Sequence, residues 1–560
     1  MSSRPLHVRW LGRVPYREAD VLQRALHERT DDDYLLLLEH PHVYTLGSSA
    51  HDEHVLVPPE TVGAELVRAD RGGDVTYHGP GQLVGYPIVS LDEWRAGQRD
   101  VVAYVRRLED VLIATLADVG IDAARNPGYT GVWVDDEKIA AIGVRVARGR
   151  TRHGFALNVD PDLSMFTHIV PCGIADKAVT SMTRVLERPV TMREVADRVV
   201  EHFAAAFART AERHDVAWRE SPRDLAPFTR AAMGEGAIGA GPVRPVRLLG
   251  RLAAAGVEPV PADDGRRPEW MRVRARMDDG FLELKRLVRG LDLHTVCEEA
   301  GCPNIYECWA DRTATFMILG DRCTRACGFC LVDTRKPLAV DLDEPRRVAE
   351  AVRTLGLAHA VITCVARDDL PDGGAGAFAA TVAAIRHDAP SARVELLISD
   401  CRGDADALAT IFASRPDVLN HNLETVARLQ RAARPSAGYA RSLAVLARAK
   451  DAGLVTKSGI IVGLGERDDE VRVALADLRN VGVDIVTIGQ YLRPTAQHLP
   501  VVRWWTPDEF AALRELGEAL GFSHVESGPL VRSSYHARTG ADAAHGATDV
   551  AEVPVALGRR

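Results

Sequence analysis

The chain has 560 residues, of which 46% are hydrophobic, and its formal net charge is -9 at pH 7. A chain of this length should contain more than one domain, because single hydrophobic cores stop growing near roughly 250–300 residues. We find no apolar run long enough to span a bilayer, and the acidic balance argues against a general nucleic-acid-binding surface. The first ten residues lack the features of a signal sequence. Together with thiols that must stay reduced, this predicts a cytoplasmic protein with no membrane and no nucleic-acid partner.

The first half of the chain mixes short apolar runs with amphipathic segments. Apolar runs bounded by turn residues predict strands over 34–40, 43–47 and 83–89, and residues 131–146 predict a hairpin. Apolar residues recur at helical spacing over 100–119, which predicts an amphipathic helix. Strands and helices in this mixed order predict an α+β domain.

A glycine-rich string, RGGDVTYHGPGQ, occupies residues 71–82. Glycine and proline at this density mark irregular backbone that can approach a ligand closely. Polar side chains such as Arg71 and His78 stand among these glycines. An ordinary surface loop has the same composition, so composition alone leaves a structural loop and a ligand-binding loop equally open.

The first half contains a lone cysteine, Cys172, in the string VPCGIAD, and a lysine, Lys138, in the string EKIAAIG. A thiolate is a strong nucleophile, and a nearby ammonium group lowers the pKa of a thiol. A thiol that forms and then releases an acyl thioester divides one difficult transfer into two easier steps. A single cysteine is more often a small buried apolar residue than a nucleophile. The residues alone leave both interpretations of Cys172 open.

The strings RGGDVTYHGPGQ, EKIAAIGVRV, HGFALNVD and PCGI occur in this order and resemble the octanoyltransferases of lipoate biosynthesis, over roughly residues 1–220. That family shares the fold of biotin and lipoate ligases but takes octanoyl groups from octanoyl acyl carrier protein, without ATP activation. The resemblance implies that Cys172 is the acyl-thioester nucleophile and that Lys138 lowers its pKa and shuttles protons. It also implies an acyl pocket lined by Arg71, Gly72, Gly73, Asp74, Val75, Thr76, Tyr77, His78, Ala141, Ile142, Gly143, Gly154, Phe155 and Ala156.

A stretch rich in Gly, Ala and Pro separates the two halves, from Ala231 to Trp270. It shows no sustained period, which predicts a linker. The Ala- and Gly-rich end of the chain predicts a disordered tail. We therefore expect a first domain over 1–225, a linker over 226–265, a second domain over 266–537 and a tail over 538–560.

Six of the nine cysteines lie close together in the second half: Cys297, Cys302, Cys308, Cys323, Cys327 and Cys330. The last three form the pattern CxxxCxxC and the first three form CxxxxCxxxxxC. Three thiolates can hold three irons of a cubane cluster and leave the fourth iron open for a small molecule. Disulfides would need an oxidising compartment, and structural zinc would need four ligands in closed geometry. Iron–sulfur clusters are therefore the favoured interpretation of both patterns.

After the cysteines, helical segments alternate with apolar runs such as HAVITC, VELLIS and DIVTIGQY. Strands and helices alternating in this way predict parallel βα units. With about six units, a partial (β/α)6 barrel is favoured over a doubly wound sheet. The fold class predicted for the whole chain is α/β multidomain. In such barrels the active site lies at the C-terminal ends of the strands, and CxxxCxxC follows the first strand, 315–320.

CxxxCxxC after a first strand, with Phe329 before the last cysteine, resembles the radical S-adenosylmethionine (SAM) superfamily. The resemblance implies that the open iron binds SAM and that one electron cleaves it to a 5′-deoxyadenosyl radical. Two glycine-containing strings follow this pattern at the positions that the superfamily leads us to expect. The resemblance implies that they contact SAM through Asp372, Gly373, Gly374, Gly459, Ile461 and Gly463.

The second cysteine pattern, with RDDLPDGGA, VLNHNLETV, GQYLRPT and RSSYHA, resembles lipoyl synthases over roughly residues 266–537. The resemblance implies an auxiliary 4Fe-4S cluster on Cys297, Cys302, Cys308 and a serine, with Ser534 preferred and Ser533 as the alternative. Two 4Fe-4S clusters and SAM are thus the expected cofactors. Cys364 and Cys401 belong to neither pattern and are expected to be core or incidental residues.

These resemblances predict a bifunctional enzyme of lipoate biosynthesis. It would transfer octanoyl from octanoyl acyl carrier protein to a lysine of a lipoyl carrier domain and then insert two sulfurs into the chain. The implied partners are lipoyl domains of 2-oxoacid dehydrogenases, the glycine cleavage H protein and an electron donor such as flavodoxin or ferredoxin. Three alternatives remain open: an ATP-dependent lipoate ligase or a non-catalytic carrier-docking module in the first half, and sulfur insertion into another substrate in the second.

Overall fold

The computed structural model of the chain describes residues 4–91, 100–174, 177–218, 243–258, 267–271, 279–291, 293–295, 302, 304–310 and 313–551. The chain divides into two compact units, Met1–Trp218 and Arg219–Arg560. Among the described residues, no helix combines the length and the apolar character that crossing a bilayer requires.

The first unit contains two β-sheets and several helices. Its strands are β1 (Arg4–Arg13), β2 (Asp33–Glu39), β3 (Val43–Leu46), β4 (Glu65–Arg68), β5 (Val75–His78), β6 (Gln82–Ile88), β7 (Ala124–Asn126), β8 (Tyr129–Val134), β9 (Glu137–Ala147), β10 (Arg150–Asn158) and β11 (Arg209–Arg213). Its helices are α1 (Tyr16–Arg29), α2 (Val101–Ala117), α3 (Met182–Leu186) and α4 (Met192–Ala206). The larger sheet is mixed, with the order β11-β1-β2-β6-β10-β9-β8-β7, and the smaller sheet has the order β4-β3-β5.

Helices α2 and α4 pack against each other and against the larger sheet. Tyr104, Leu108 and Leu112 recur at helical spacing along α2 and are fully buried in the core of this unit. Asp100 caps the first turn of α2 by accepting the Ala103 N–H at 2.9 Å. Burying each such apolar side chain contributes about 1.5–3 kcal/mol. The predicted strands, hairpin and helix of this half are confirmed.

The second unit alternates strands and helices. Its strands are β12 (His294–Thr295), β13 (Thr313–Ile318), β14 (His359–Cys364), β15 (Arg393–Leu397), β16 (Val418–Asn420), β17 (Thr456–Val462), β18 (Ile485–Gln490) and β19 (His524–Gly528). Its helices are α5 (Val243–Ala254), α6 (Asp279–Gly290), α7 (Ile305–Ala310), α8 (Glu344–Leu355), α9 (Ala375–Asp388), α10 (Ala405–Ala413), α11 (Gln430–Ala433), α12 (Tyr439–Asp451), α13 (Asp468–Asn480), α14 (Pro507–Ala519) and α15 (Ala537–Ala551).

The strands of this unit form one sheet in consecutive order from β12 to β19. All neighbouring pairs from β13 to β19 are parallel, and β12 pairs antiparallel with β13 at one edge. Parallel strands that neighbour one another in sequence order are typical of a (β/α) barrel. Among the described residues, the sheet is not closed, since β12 and β19 are not paired with each other. The predicted alternation is confirmed, with β16 as one further strand that is only three residues long.

Part of the predicted linker over 226–265 is a helix of the second unit, which corrects that prediction. Residues 243–254 form α5, and Leu248 and Leu252 on its inner side are 3% and 2% exposed. Leu248 lies against Gly328, and the Arg428 guanidinium donates to Ala255 O at 2.6 Å. Apolar residues at helical spacing therefore give this stretch a buried face that a linker would not have.

The predicted disordered tail over 538–560 is also corrected in its first part. Residues 537–551 form α15, and its small residues Ala541 and Ala544 are buried against Val418 and Ile485. Alanine is the best helix former and its small side chain permits close packing. Residues 552–560 lie outside the described part of the chain.

Candidate active sites

A cavity of about 380 Å³ in the first unit brings most of the predicted acyl-site residues together. Both Cys172 and Lys138 line it. The other predicted residues that line it are Arg71, Gly72, Gly73, Asp74, Thr76, His78, Ala141, Ile142, Gly143, Gly154, Phe155 and Ala156. These residues come from strands β5, β9 and β10, from the segment between β4 and β5, and from the turn that carries Cys172.

Two residues predicted to line the acyl pocket, Val75 and Tyr77, do not line this cavity. Successive side chains of a strand point to opposite faces, so β5 directs Thr76 and His78 toward the cavity and the other two away from it. Val75 and Tyr77 are fully buried in a second core, where the Tyr77 ring contacts Phe166. Val75 and Tyr77 therefore support the strand from the face opposite the cavity.

Cys172 lies in a tight turn, the 3-10 helix Pro171–Gly173, with a backbone φ of +55°. A left-handed φ is unusual for a residue with a side chain, and such strain concentrates at functional sites. Gly173 permits a close approach to Asp74, because a Cβ at Gly173 would come within 2.7 Å of Asp74 Oδ2. The same carboxylate oxygen lies 2.6 Å from His54 Nδ1. This turn is therefore built tightly against the glycine-rich string.

Lys138 is 7% exposed and lies at the start of β9. Its ammonium group lies 4.9 Å from the centre of the Trp133 ring, a cation–π contact. Its backbone is fixed by two hydrogen bonds, from Lys138 N to Ala178 O at 2.9 Å and from Thr180 N to Lys138 O at 3.0 Å. Residues Ala178 and Thr180 thus hold the start of β9 in place beside the cavity.

Arg71 is a buried cation that lines the cavity. Its guanidinium donates to Thr45 O at 2.6 Å and to Thr45 Oγ1 at 2.8 Å. Burial lowers the pKa of Arg71, and the thiol of Cys172 is among the groups whose charge acts on it in the opposite direction. Arg71 is thus a buried cation within electrostatic reach of Cys172.

The sequence prediction missed several residues that line this cavity. They are Tyr16, Tyr86, Gly128, Tyr129, Thr130, His153, Gly173 and Ile174. His153 and Gly173 lie within the HGFALNVD and PCGI strings, directly beside the predicted residues Gly154 and Cys172, so extending each predicted set by one residue would have included them. Tyr16 and Tyr86 lie in separate elements with no motif around them, and the sequence gives no signal for their placement.

In the second unit, Cys323, Cys327 and Cys330 lie on the loop that follows β13. Their thiols are close enough to act on one another electrostatically. Gly328, between two of them, donates its N–H to Ala433 O at 2.8 Å, which fixes the loop against α11. Burial raises the pKa of the Cys327 thiol to about 12. The Cys327 thiol would therefore ionise only with a compensating cation, which fits an iron–sulfur cluster on this half-buried set of three thiols.

An arginine inside the CxxxCxxC loop fastens that loop to the ends of β14 and β15. Arg325 Nε and Nη2 each donate to the Asp368 carboxylate at 2.7 Å, and Nη2 also donates to Asp400 Oδ1 at 2.6 Å. Arg325 is 8% exposed and Asp400 is fully buried. Burial opposes ionisation of Asp400, but Arg325 outweighs it and lowers the pKa of that carboxyl group. The loop is thus held by a bidentate, charge-assisted contact before any cluster binds.

Of the three cysteines predicted to hold the auxiliary cluster, the structure describes Cys302 and Cys308, whereas Cys297 lies outside the described residues. Cys308 lies on α7 and Cys302 lies three residues before that helix. Both are half-buried. Burial raises the pKa of Cys302, so this thiol too would ionise only with a compensating cation.

The RSSY string lies beside these two cysteines. The Tyr535 hydroxyl donates to Glu307 Oε2 at 3.1 Å, although 228 residues separate the two in sequence. Arg532 acts electrostatically on the Cys302 thiol. Ser534 lies in the turn between Arg532 and Tyr535 and is half-buried. The fold therefore brings the serine-containing turn to the described cysteines.

The first string predicted to contact SAM forms the start of α9. The Asp372 carboxylate accepts the N–H groups of Gly374 and Gly376 at 3.0 and 2.8 Å, so in this structure it caps the helix. Gly373 and Gly374 have φ values of +60° and +93°, which glycine adopts without strain.

Of the second set predicted to contact SAM, Gly459 and Ile461 lie on one face of β17, and Gly463 directly follows that strand. A Cβ at Gly463 would come within 2.1 Å of Gln490 Nε2, so packing alone requires glycine there. A Cβ at Gly459 would lie 2.7 Å from Asn422 Oδ1, a buried atom without a hydrogen-bond partner in the described part of the chain. A bare glycine beside an unpaired polar atom fits a bound ligand such as SAM.

Two family models match the chain. Residues 15–204 match the lipoyl protein ligase A/B catalytic domain, and residues 317–478 match the radical SAM superfamily. The protein thus joins a catalytic domain of the lipoate ligase class to a radical SAM domain, which confirms the predicted fold class.

The C-terminal half is similar to lipoyl synthases of known sequence. It is 60% identical to the enzyme of Rubrobacter xylanophilus over 273 residues, which are 48% of this chain and 85% of that one. It is 62% identical to the enzyme of Mycobacterium avium over 272 residues, 49% of this chain and 89% of that one. The chain belongs to the lipoyl synthase family, and the predicted cofactors, SAM and 4Fe-4S clusters, are those of this family.

Among solved structures, lipoate-protein ligase A bound with ATP is 18% identical to this chain, with a TM-score of 0.33, and the match covers 39% of this chain and 90% of that one.

Proposed function

We propose that this chain carries out two successive steps of protein lipoylation, octanoyl transfer by the first unit and sulfur insertion by the second. The observation that carries the first step is the common cavity of Cys172 and Lys138, beneath a glycine-rich string. The family model for the first unit covers both ligases and transferases. The nucleophilic cysteine favours the transferase, because a ligase that activates its acid with ATP needs no acyl-enzyme.

In the proposed transfer, the Cys172 thiolate attacks the octanoyl thioester carbonyl of octanoyl acyl carrier protein. The carrier thiolate leaves and takes a proton, and the octanoyl group remains on the Cys172 sulfur. The amine of a lysine on a lipoyl carrier domain then attacks this thioester, an amide forms, and Cys172 leaves as the thiolate. Lys138, buried beside the same cavity, holds the proton that moves between these groups.

In the proposed second step, the described cysteines Cys323, Cys327 and Cys330 hold the radical cluster, and Cys302 and Cys308 belong to the auxiliary set with Cys297 and Ser534. When bound, the clusters and SAM supply hydrogen abstraction and sulfur. The contribution of the chain itself is to fix its cysteine loops, through Arg325 at one site and the RSSY turn at the other.

The proposed partners follow from this chemistry. Octanoyl acyl carrier protein would deliver the acyl group, and lipoyl domains of 2-oxoacid dehydrogenases or the glycine cleavage H protein would receive it. A flavodoxin or ferredoxin would supply electrons. Thiols that must remain free to hold iron favour a cytoplasmic location.

The test of the first step is octanoyl transfer by the full-length chain without ATP. We expect the chain to move octanoyl from acyl carrier protein to an apo lipoyl domain, and Cys172→Ser to abolish both the transfer and the acyl-enzyme seen by mass spectrometry. Cys364→Ser, which removes a cysteine of the second unit, is the matched control and should transfer normally. An absolute requirement for ATP would instead support a ligase, and transfer by neither route would support a docking module.

A further inference from the structure

A tryptophan lies directly opposite Lys138 on the neighbouring strand. In the antiparallel register of β8 and β9, Trp133 pairs with Lys138. Opposed residues of such a pair present their side chains on the same face of the sheet, close enough to interact. The Lys138 ammonium group lies 4.9 Å from the centre of the Trp133 ring. Lys138 lines the acyl cavity and Trp133 does not, so the ring contacts the lysine from outside the cavity.

A β-bulge beside this pair determines the direction in which Lys138 points. The register shifts by one residue between Val132 and Trp133, so Ile139 is an extra residue on β9. Ile139 and the residue after it, Ala140, are both fully buried in the core of this unit. A bulge interrupts the regular alternation of a strand, and near active sites it redirects a side chain. The bulge in β9 places Lys138 on the same face as the Trp133 ring.

The strand that carries Trp133 is anchored by a buried carboxylate of α2. Glu109 is fully buried, and its Oε1 accepts the Gly131 N–H at 3.1 Å. Arg106 and Arg125 donate to its other oxygen at 2.7 and 2.8 Å, so the buried charge is compensated. Trp133 itself is 2% exposed. The ring is therefore held in place by the fold, independently of the lysine that it contacts.

We propose that Trp133 is a positioning residue for the acyl transfer, whose ring holds the Lys138 ammonium group at the cavity. The described residues place an aromatic face, rather than a carboxylate, against this ammonium group. Such a face attracts the charge without accepting a conventional hydrogen bond, so the N–H groups stay available to reacting groups in the cavity. This inference rests on the proposed octanoyl transfer, because Trp133 would act only through Lys138.

The first measurement is octanoyl transfer without ATP by the full-length chain. We expect Trp133→Leu to lower kcat about tenfold and to leave KM unchanged, since the loss of a desolvated cation–π contact corresponds to a factor of about this size. Trp133→Phe retains an aromatic face and should retain most of the activity. In a Lys138→Met background, Trp133→Leu should cause no further loss, because the ring then has no ammonium group to hold. The matched control, Phe203→Leu, removes a buried ring that does not line the cavity and should transfer normally.

The second measurement does not depend on octanoyl transfer. Acetic anhydride labels amines, and mass spectrometry gives the labelling rate of Lys138 relative to that of the exposed Lys336. We expect Trp133→Leu to raise this relative rate severalfold, because the Lys138 amine is released from the ring, and Trp133→Phe to leave it unchanged.

The two measurements distinguish failure of this inference from failure of the proposed transfer. Faster labelling of Lys138 in Trp133→Leu, in a chain that transfers no octanoyl, would support the contact with Trp133 and refute the transfer. Wild-type labelling of Lys138 in Trp133→Leu would overturn the inference. So would an unchanged kcat in a chain that transfers octanoyl, or an equal loss of activity in the Lys138→Met background.

Discussion

Replacing Arg325 with Met tests how the CxxxCxxC loop is held. Arg325 is the main partner of Asp400, which is fully buried, and Arg441 approaches the same carboxylate only to 3.8 Å. Removing one member of a buried ion pair costs about 3–5 kcal/mol, because the remaining charge is left without compensation. The bidentate contact to Asp368 is lost at the same time. We expect the loop to open much more often in the variant.

The assay is hydrogen exchange measured by mass spectrometry on the full-length chain, in peptides that contain Thr324 and Gly328. Their amides donate to Ala366 O at 2.9 Å and Ala433 O at 2.8 Å, so both are protected while the loop is closed. A cost of at least about 3 kcal/mol corresponds to about a hundredfold loss of protection. Iron bound after anaerobic reconstitution should fall in parallel.

The matched control is Arg346→Met, because Arg346 makes ion pairs with Asp343 and Glu350 on the surface of α8. Exposed ion pairs contribute little, so exchange and iron binding should both stay at the wild-type level. Unchanged protection at Thr324 and Gly328 in the Arg325 variant would refute the conclusion that this arginine holds the loop.

Three further predictions concern the fold and the acyl cavity. Burial lowers the pKa of His40 to about 4, so the unfolded state binds more protons than the folded state between pH 6.5 and 4, and stability is lost as the pH falls through that window. In His40→Gln the melting temperature should therefore fall less steeply with decreasing pH over this range. An unaltered dependence of the melting temperature on pH would contradict this. Ending the chain after residue 536 should lower the melting temperature, because Val418 and Ile485 are then no longer covered by α15. Ending the chain after residue 551 retains this helix and should leave the melting temperature unchanged. Equal melting temperatures for the two truncated chains would show that α15 adds no stability. Gly143→Val should abolish octanoyl transfer. Even a Cβ at this position would lie 2.9 Å from Gly72 O and 3.3 Å from Arg71 Cδ, so the valine side chain would displace the residues that line the cavity. Full transfer activity in this variant would argue that acyl groups bind elsewhere.

The sequence predicted the elements that have strong local patterns. Helix α2 is long and periodic and strand β2 is a continuous apolar run, and the limits of both agree with the prediction to within a few residues. Strand β16 has only three residues, too few for any period to appear. Helix α15 buries alanines, which are so weakly hydrophobic that no apolar periodicity is visible in its sequence. Helix α5 was assigned to the linker because glycine- and proline-rich stretches lie on both sides of it.

The candidate sites were predictable where chemistry depends on contiguous residues and less so where it depends on tertiary packing. Cys172 and Lys138 were found through their motifs, and both line one cavity. Val75 and Tyr77 were included with their string although strand alternation turns them away. The role of Arg325 depends on partners far away in the chain and on a buried environment that only the folded structure defines.

The bifunctional account is tested most directly by one mass-spectrometric experiment on the anaerobically reconstituted full-length chain. An apo lipoyl domain is supplied with octanoyl acyl carrier protein, SAM and a reductant, without ATP. We predict a first mass increase for one octanoyl group and a second for two sulfurs on the same lysine. With Cys172→Ser neither increase should appear, unless the domain is octanoylated beforehand, when sulfur insertion should proceed. Octanoylation by the Cys172→Ser chain, or no sulfur insertion into a pre-octanoylated domain, would contradict the account.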